Sequence, residues 1–140
     1  MTMDVDVPVR WQDLDALGHV GHAVYLTYFE EQRDRWLHRR AGLGGRDYVV
    51  ASAQVDYDSP IALEDGPVTV SSRIERMGAS SLILVGELRS ARGHVCARSR
   101  TAIVMWDPVR HRSRPLTARE RAAFDADTSI PVDDMSGSTT

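Results

Sequence analysis

The chain contains no lysine, so all 17 of its cationic side chains are arginine. Arginine grips phosphates bidentately, but its exclusive use over a whole chain reads as genomic composition bias. Cysteine is almost as scarce. A lone Cys96 excludes an intramolecular disulfide and fits a reducing, cytoplasmic setting. It sits in a strand-like run, where a buried inert thiol is expected rather than a nucleophile. The formal net charge of -3 gives no bulk electrostatic case for nucleic acid or for an anionic membrane. The opening MTMDVDVPVR has neither the basic start nor the apolar core of a signal peptide. No apolar run approaches the roughly 20 residues that span a bilayer. What remains is an ordinary globular composition, 42% hydrophobic and 26% charged over 140 residues, and the length of one domain with a real core.

Hydrophobic periodicity orders the chain. Val5, Val7 and Val9 alternate as in a short strand over Val5–Trp11, with Pro8 restricting it to an edge or a strand start. Asp13–Gly21 reads as a loop with Gly18 and Gly21 as its flexible points. A helix is predicted from about His22 to about Arg40, with Tyr25, Leu26, Phe29, Arg33, Trp36 and Leu37 in one stripe. Gly42, Gly44 and Gly45 stop it. The period then changes to two. Tyr48–Tyr57 is a strand with Val49, Ala51, Ala53, Val55 and Tyr57 on one side, followed by strands over Val68–Met77, Ser80–Arg89 and Val95–Trp106. Thr117 and Glu120 form a capping box for a short helix over Ala118–Ala126. Residues 127–140 are polar and read as a disordered tail, leaving 1–126 as a single domain. A helix beside one antiparallel meander is a two-layer α+β domain. Such a sheet has open edges, and pairing with a second copy covers one of them.

The chemistry concentrates in Arg10–Trp36, which holds Asp13, Asp15, His19 and His22 in a glycine-punctuated loop before the helix. A helix start exposes backbone N–H groups that hold a developing oxyanion, here those of about His22, Ala23 and Val24. An Asp15 carboxylate folded back beside them suits acyl transfer, as nucleophile or as general base. Three other readings stay open. Asp13 and Asp15 cap turns in many proteins. The D-x-D-x-x-x-H-x-x-H spacing matches a metal ligand set. The arginine-rich run Arg110–Arg121 touches phosphates or, with acids on both sides, is a solvated surface.

The pattern R-W-x-D-x-D-x-x-G-H-V-x-H-A-x-Y-L-x-Y-F-E-x-x-R over residues 10–33 resembles the signature of hotdog-fold acyl-CoA thioesterases of the 4-hydroxybenzoyl-CoA thioesterase type, in the Tol-Pal-associated branch. A weaker resemblance extends over Ser59–Pro60, Asp65–Gly66, the Gly78–Ser81 hairpin and the last long strand. It implies a long central helix wrapped by a five-stranded antiparallel sheet, a homodimer with active sites at the subunit interface, and pairs of dimers. It implies Asp15 and His22 as the catalytic pair, with Gly21, Ala23 and Tyr25 at the oxyanion and substrate-positioning sites. Arg73, Arg76, Ser80 and Ser81 are the candidates for CoA contacts. No metal or other cofactor is expected, CoA being part of the substrate, and neither nucleic acid nor membrane insertion is expected. Two departures stand out. Gly21 replaces the aromatic residue or Asn common in relatives, and the hairpin lacks the basic residues some relatives carry. A second subfamily places its acid on the long helix, which makes Glu30 an alternative to Asp15. The function implied is hydrolysis of an acyl-CoA thioester. The alternatives are an acyl-carrier-protein thioesterase and a non-catalytic acyl-CoA-binding protein of the same fold.

Overall fold

A computed structural model describes residues 3–128, with side chains described to residue 125. The chain runs β1 (Val5–Val7), α1 (His22–Ala41), β2 (Tyr48–Tyr57), β3 (Val68–Met77), β4 (Ser81–Arg89), β5 (Val95–Asp107), β6 (Arg112–Ser113) and α2 (Ala118–Thr128). The five main strands lie in the order β1-β3-β4-β5-β2, all antiparallel, and β6 folds back on the end of β5. This is the α+β hotdog arrangement, with the sheet curled against α1 and the two-residue β6 as an extra strand.

Alternation sets the inner face. Val70, Ser72 and Ile74 of β3, Leu82, Leu84 and Leu88 of β4, and Ala97, Thr101, Ile103 and Met105 of β5 are buried, while Arg98 and Arg100 point out. Two apolar clusters fill the space under the sheet. One gathers Tyr25, Tyr28 and Phe29 of α1 with Val70, Leu88 and Ala97. The other gathers Trp36 and Leu37 with Ile74, Leu82, Ile103, Met105 and Phe124 of α2. Gly86 permits the close approach of helix and sheet. A Cβ there would lie 2.8 Å from Ser99 Oγ and 3.3 Å from a Phe29 ring carbon.

Five expectations change. A simple meander sets β2 beside β3, but the sheet places β2 at the opposite edge, paired with β5. The first strand stops at Val7, because Pro8 donates no ladder bond and Trp11–Asp13 winds into a 3-10 turn. The helical stripe contains Tyr28 and Gln32, both buried, whereas Leu26 is 44% exposed. In β2 the register against β5 slips between Val50 and Ser52. This bulge puts Tyr48 and Val50 on the same side as Ala53, Val55 and Tyr57, and leaves Val49 facing the other way. Helix α2 continues to Thr128, so the first two residues of the expected tail are helical, and the rest of that expectation lies outside the described residues.

The helix ends follow their local chemistry. Gly42 adopts φ 69° and donates to the His38 carbonyl at 2.8 Å, closing α1 with a left-handed cap. Glu120 accepts from the Thr117 amide at 2.9 Å, and the Glu120 amide donates to Thr117 Oγ1 at 3.1 Å, completing the capping box.

Candidate active site

The loop between β1 and α1 is pinned at both ends. Leu14 and Val20 pair across it, the Asp15 amide donates to the His19 carbonyl at 2.7 Å, and the Gly18 amide donates to the Asp15 carbonyl at 3.0 Å. Gly18 takes φ 80°, which favours glycine at the tip. The Val20 amide reaches the Ile61 carbonyl at 2.8 Å and the Gly21 amide reaches the Asp13 carbonyl at 3.0 Å. These bonds fold the loop against the segment after β2 and against the start of α1.

The two acids of the loop have different surroundings. Asp13 is buried, its side chain 4% exposed. Its Oδ2 accepts from the Tyr28 hydroxyl at 2.7 Å and the Arg10 amide at 3.1 Å, while its Oδ1 accepts from Arg10 Nη2 at 2.9 Å. Burial pushes the Asp13 carboxyl upward, but the bonds from Arg10 and Tyr28 together outweigh it and hold the group below the usual aspartate range. Asp15 is exposed, and its Oδ1 accepts from the Leu17 and His19 amides at 2.9 and 3.2 Å. Its Oδ2 accepts no bond among the described residues. One acid is therefore consumed by the fold, and the other is held by one oxygen while the second takes no partner among the described residues.

Asp15, His19, His22 and Tyr25 line one open cleft of about 330 Å³ with Tyr57, Asp58, Ser59 and Pro60. Gly21 caps α1 with no side-chain bond to the helix. The Val24 amide donates to the Gly21 carbonyl at 2.9 Å, so it is not available as expected. The amides of His22 and Ala23 take no acceptor among the described residues. A Cβ at Gly21 would have only ordinary contacts, at 3.8 Å, so the small residue leaves room rather than relieving a clash.

Tyr25 donates to the Ser59 carbonyl at 3.4 Å, and burial pushes its phenol up to about 12, keeping it a neutral donor. Tyr57, read in the sequence only as one of the residues on the apolar side of β2, also lines the cleft. Its hydroxyl donates to the His22 carbonyl at 2.8 Å, and its ring meets Tyr25 edge-on at 4.8 Å. The signal that marks it is its place at the end of β2 immediately before the Asp58–Ser59–Pro60 turn.

The other candidates lie elsewhere in the chain. Arg73 lines an outer cavity with Glu87 and Arg98 on the face of the sheet turned away from α1. Ser80 and Ser81 belong to the β3–β4 hairpin, whose Gly78 and Ala79 carbonyls accept from Arg121 of α2 at 2.8 and 3.2 Å. Arg76 precedes the same hairpin. A single chain thus brings none of these four residues to the Asp15 cleft. Arg121 and Arg114, which pairs with Glu120 at 2.8 Å, fasten α2 rather than merely solvating a surface. Glu30 lines a separate cavity farther along α1. Among the described residues no three His, Cys, Asp or Glu side chains form a metal-ligand cluster, and no helix is long and apolar enough to cross a membrane.

Residues 9–128 match the profile of the thioesterase-like superfamily. The chain belongs to that superfamily. It is accordingly an enzyme of the thioesterase class. A curated relative, the acyl-CoA thioester hydrolase YbgC of Escherichia coli O6:H1, is 28% identical over 124 residues, covering 84% of this chain and 92% of the relative. A thioesterase of Thermus thermophilus, solved with coenzyme A and Zn, is 35% identical with a TM-score of 0.81, covering 90% of this chain and 94% of that one. A DHNA-CoA thioesterase from Staphylococcus aureus superposes with a TM-score of 0.75 over 99% of this chain and 95% of its own, and at 18% identity it shows the fold alone.

Proposed function

We propose that this chain hydrolyses acyl-CoA thioesters to the free acid and CoA, with Asp15 as its reacting carboxylate. The observation that supports this is that Asp15, with one carboxylate oxygen unengaged, lines the same cleft as His22, the first residue of the uncapped α1. The thioester carbonyl oxygen docks on the His22 and Ala23 amides, which stabilise the negative charge that develops there. In the nucleophilic route Asp15 forms a bond to the carbonyl carbon, the C–S bond breaks, and CoA leaves as thiolate. Water then hydrolyses the mixed anhydride. In the general-base route Asp15 takes a proton from water as the water attacks. The His22 ring and the Tyr25 phenol position the acyl group, and Tyr57 holds the His22 carbonyl. CoA enters as substrate, and the reading invokes no resident cofactor. The setting is a reducing cytoplasm, in keeping with the free and buried Cys96.

The reading includes a homodimer assembled along β2 and a pair of such dimers. Strand β2 is a ten-residue edge strand, exposed over most of its length. Val50 is 45% and Tyr57 47% exposed on it, beside the exposed Leu26 of α1. A second copy paired there covers this edge and walls the cleft.

Thiol release from a panel of acyl-CoAs tests the activity. Asp15→Asn keeps the shape and removes the charge, and it is expected to lower kcat at least about a hundredfold. Wild-type rates in that variant would exclude Asp15 as the reacting group. Tight acyl-CoA binding with no thiol release would mark a non-catalytic binder.

A further inference from the structure

The cleft of Asp15 holds a second carboxylate. Asp58 lines it from the turn after β2, and no arginine among the described residues lines it. An acyl-CoA brings its own negative charge on its phosphates, so two uncompensated acids in the cleft would oppose its approach.

The two acids keep different company. Asp15 has no cationic partner among the described residues. Asp58 is held by Arg98 of β5, Nε donating to Oδ2 and Nη2 to Oδ1, both at 3.0 Å. Two parallel bonds of this kind match a guanidinium to a carboxylate in shape as well as charge. The register makes the choice of partner informative. Arg98 stands opposite Asp56 on β2 and opposite Glu87 on β4. Glu87 is taken by Arg89 at 2.7 Å. Arg98 reaches past Asp56 to the acid that lines the cleft.

The turn that carries Asp58 is fixed by other bonds. The Asp58 and Ser59 amides both donate to the Cys96 carbonyl, at 2.8 and 3.1 Å, while Tyr57 and Tyr25 tie the same turn to α1. An ion pair whose side chains are 60% and 32% exposed adds little to stability. What the pair changes is the charge that the cleft presents.

We propose that Arg98 sets the capture of acyl-CoA through Asp58: it cancels the second carboxylate of the cleft and leaves Asp15 as the one uncompensated acid that the substrate meets. This rests on the reading of the Asp15 cleft as the hydrolytic site and adds a residue from outside the cleft that governs its affinity for an anionic thioester. Arg98 is a positioning residue, because it acts on the substrate only by way of Asp58.

The test compares one acyl group carried on CoA and on N-acetylcysteamine, which presents the same thioester without phosphates. Thiol release is measured for wild type, Arg98→Gln, Arg98→Lys, Asp58→Asn and the double variant Arg98→Gln/Asp58→Asn. At an ionic strength of about 0.01 M, charges act over about 30 Å. There Arg98→Gln is expected to raise KM for the acyl-CoA about threefold. The double variant returns KM to the wild-type value, Arg98→Lys keeps it there, and Asp58→Asn moves it the other way. These shifts fade at about 1 M salt, where the range falls to about 3 Å, and they are absent with the N-acetylcysteamine thioester. An unchanged KM in Arg98→Gln at low ionic strength overturns the proposal, as does a rise that the double variant retains. A loss of kcat on both carriers that Arg98→Gln shares with the double variant also overturns it, because the pair then serves the fold. Calorimetric dissociation constants for CoA itself are expected to follow the same order across the five chains. That order without thiol release from any thioester sinks the hydrolytic reading and leaves the role of Arg98 standing.

Discussion

Asp13 and Asp15 stand two positions apart and take opposite parts. Asp13 ties Arg10, Tyr28 and, through its carbonyl, the Gly21 amide into one unit, so it fixes where Asp15 sits relative to α1. Tyr28→Phe removes one of its charge-assisted bonds and is expected to cost about 2 kcal/mol. At this chain length that lowers the melting temperature by about 4–8 °C, which calorimetry reads directly. The folded pKa of Asp13 lies below its ordinary value of 3.8. Its contribution to stability is therefore complete above 3.8 and is lost as pH falls through the lower folded value. Denaturant titrations of wild type between neutral pH and strong acid should show this loss, and Asp13→Asn should flatten that part of the curve. The sequence alone could not separate these two acids. What separates them is a hydroxyl from Tyr28, 15 residues away, and a guanidinium from Arg10, and only the folded loop brings both to the same carboxylate.

At the scale of the element, α1 begins without the side-chain cap that helices usually have. That omission leaves the His22 and Ala23 amides without an acceptor among the described residues. Gly21 has φ -61°, and a Cβ there meets nothing closer than 3.8 Å, so a capping side chain fits. Gly21→Asp is expected to stabilise the fold by a few tenths of a kcal/mol and to reduce thioester hydrolysis, because its carboxylate competes for the amides at the helix start. Melting temperature and kcat would move in opposite directions, and a variant that gained stability with unchanged kcat would argue against those amides as the oxyanion site. Most elements were legible from periodicity and turn chemistry. Strands β2 and β3 have the expected bounds, and the Thr117–Glu120 box was readable from residue types alone. The bulge in β2 was not readable, because Val49 and Ala51 continue an apolar alternation and the slip depends on how β5 pairs with them. Leu26 misled for a related reason. It is apolar and sits next to Tyr25 on the helix, yet it faces the open seam with β2 instead of the core.

At the scale of the whole molecule, the exposed edge strand β2 carries the proposed dimer. Placing a charge at its apolar middle opposes strand pairing between copies. Val50→Glu is expected to shift the chain to a monomer in light scattering behind a sizing column, and to lower thioester hydrolysis with it. A monomer with full activity would place the complete site in one chain. The antiparallel run β3-β4-β5 and the single long helix could be read in advance because each of these strands signals its own turn, whereas the place of β2 at the far edge beside β5 could not, because it depends on a pairing distant in sequence. The closure of the α1–β2 seam could not be read either, because Tyr57 and His22, which meet there, stand 35 residues apart.

The parity of β2 carries one last consequence. Tyr48 and Tyr57 are an odd number of positions apart, so strict alternation would send their rings to opposite sides of the sheet. Both nevertheless reach α1, one near its first residue and one near its middle. The surplus residue at the bulge restores the phase and makes this double clasp achievable. Removing Ala51 would force the strand to release one clasp or the other. A one-residue deletion far from Asp15 would then lose either the Tyr57 hold on the His22 carbonyl or the Tyr48 hold on Asp34, whereas a substitution at Ala51 would leave both in place.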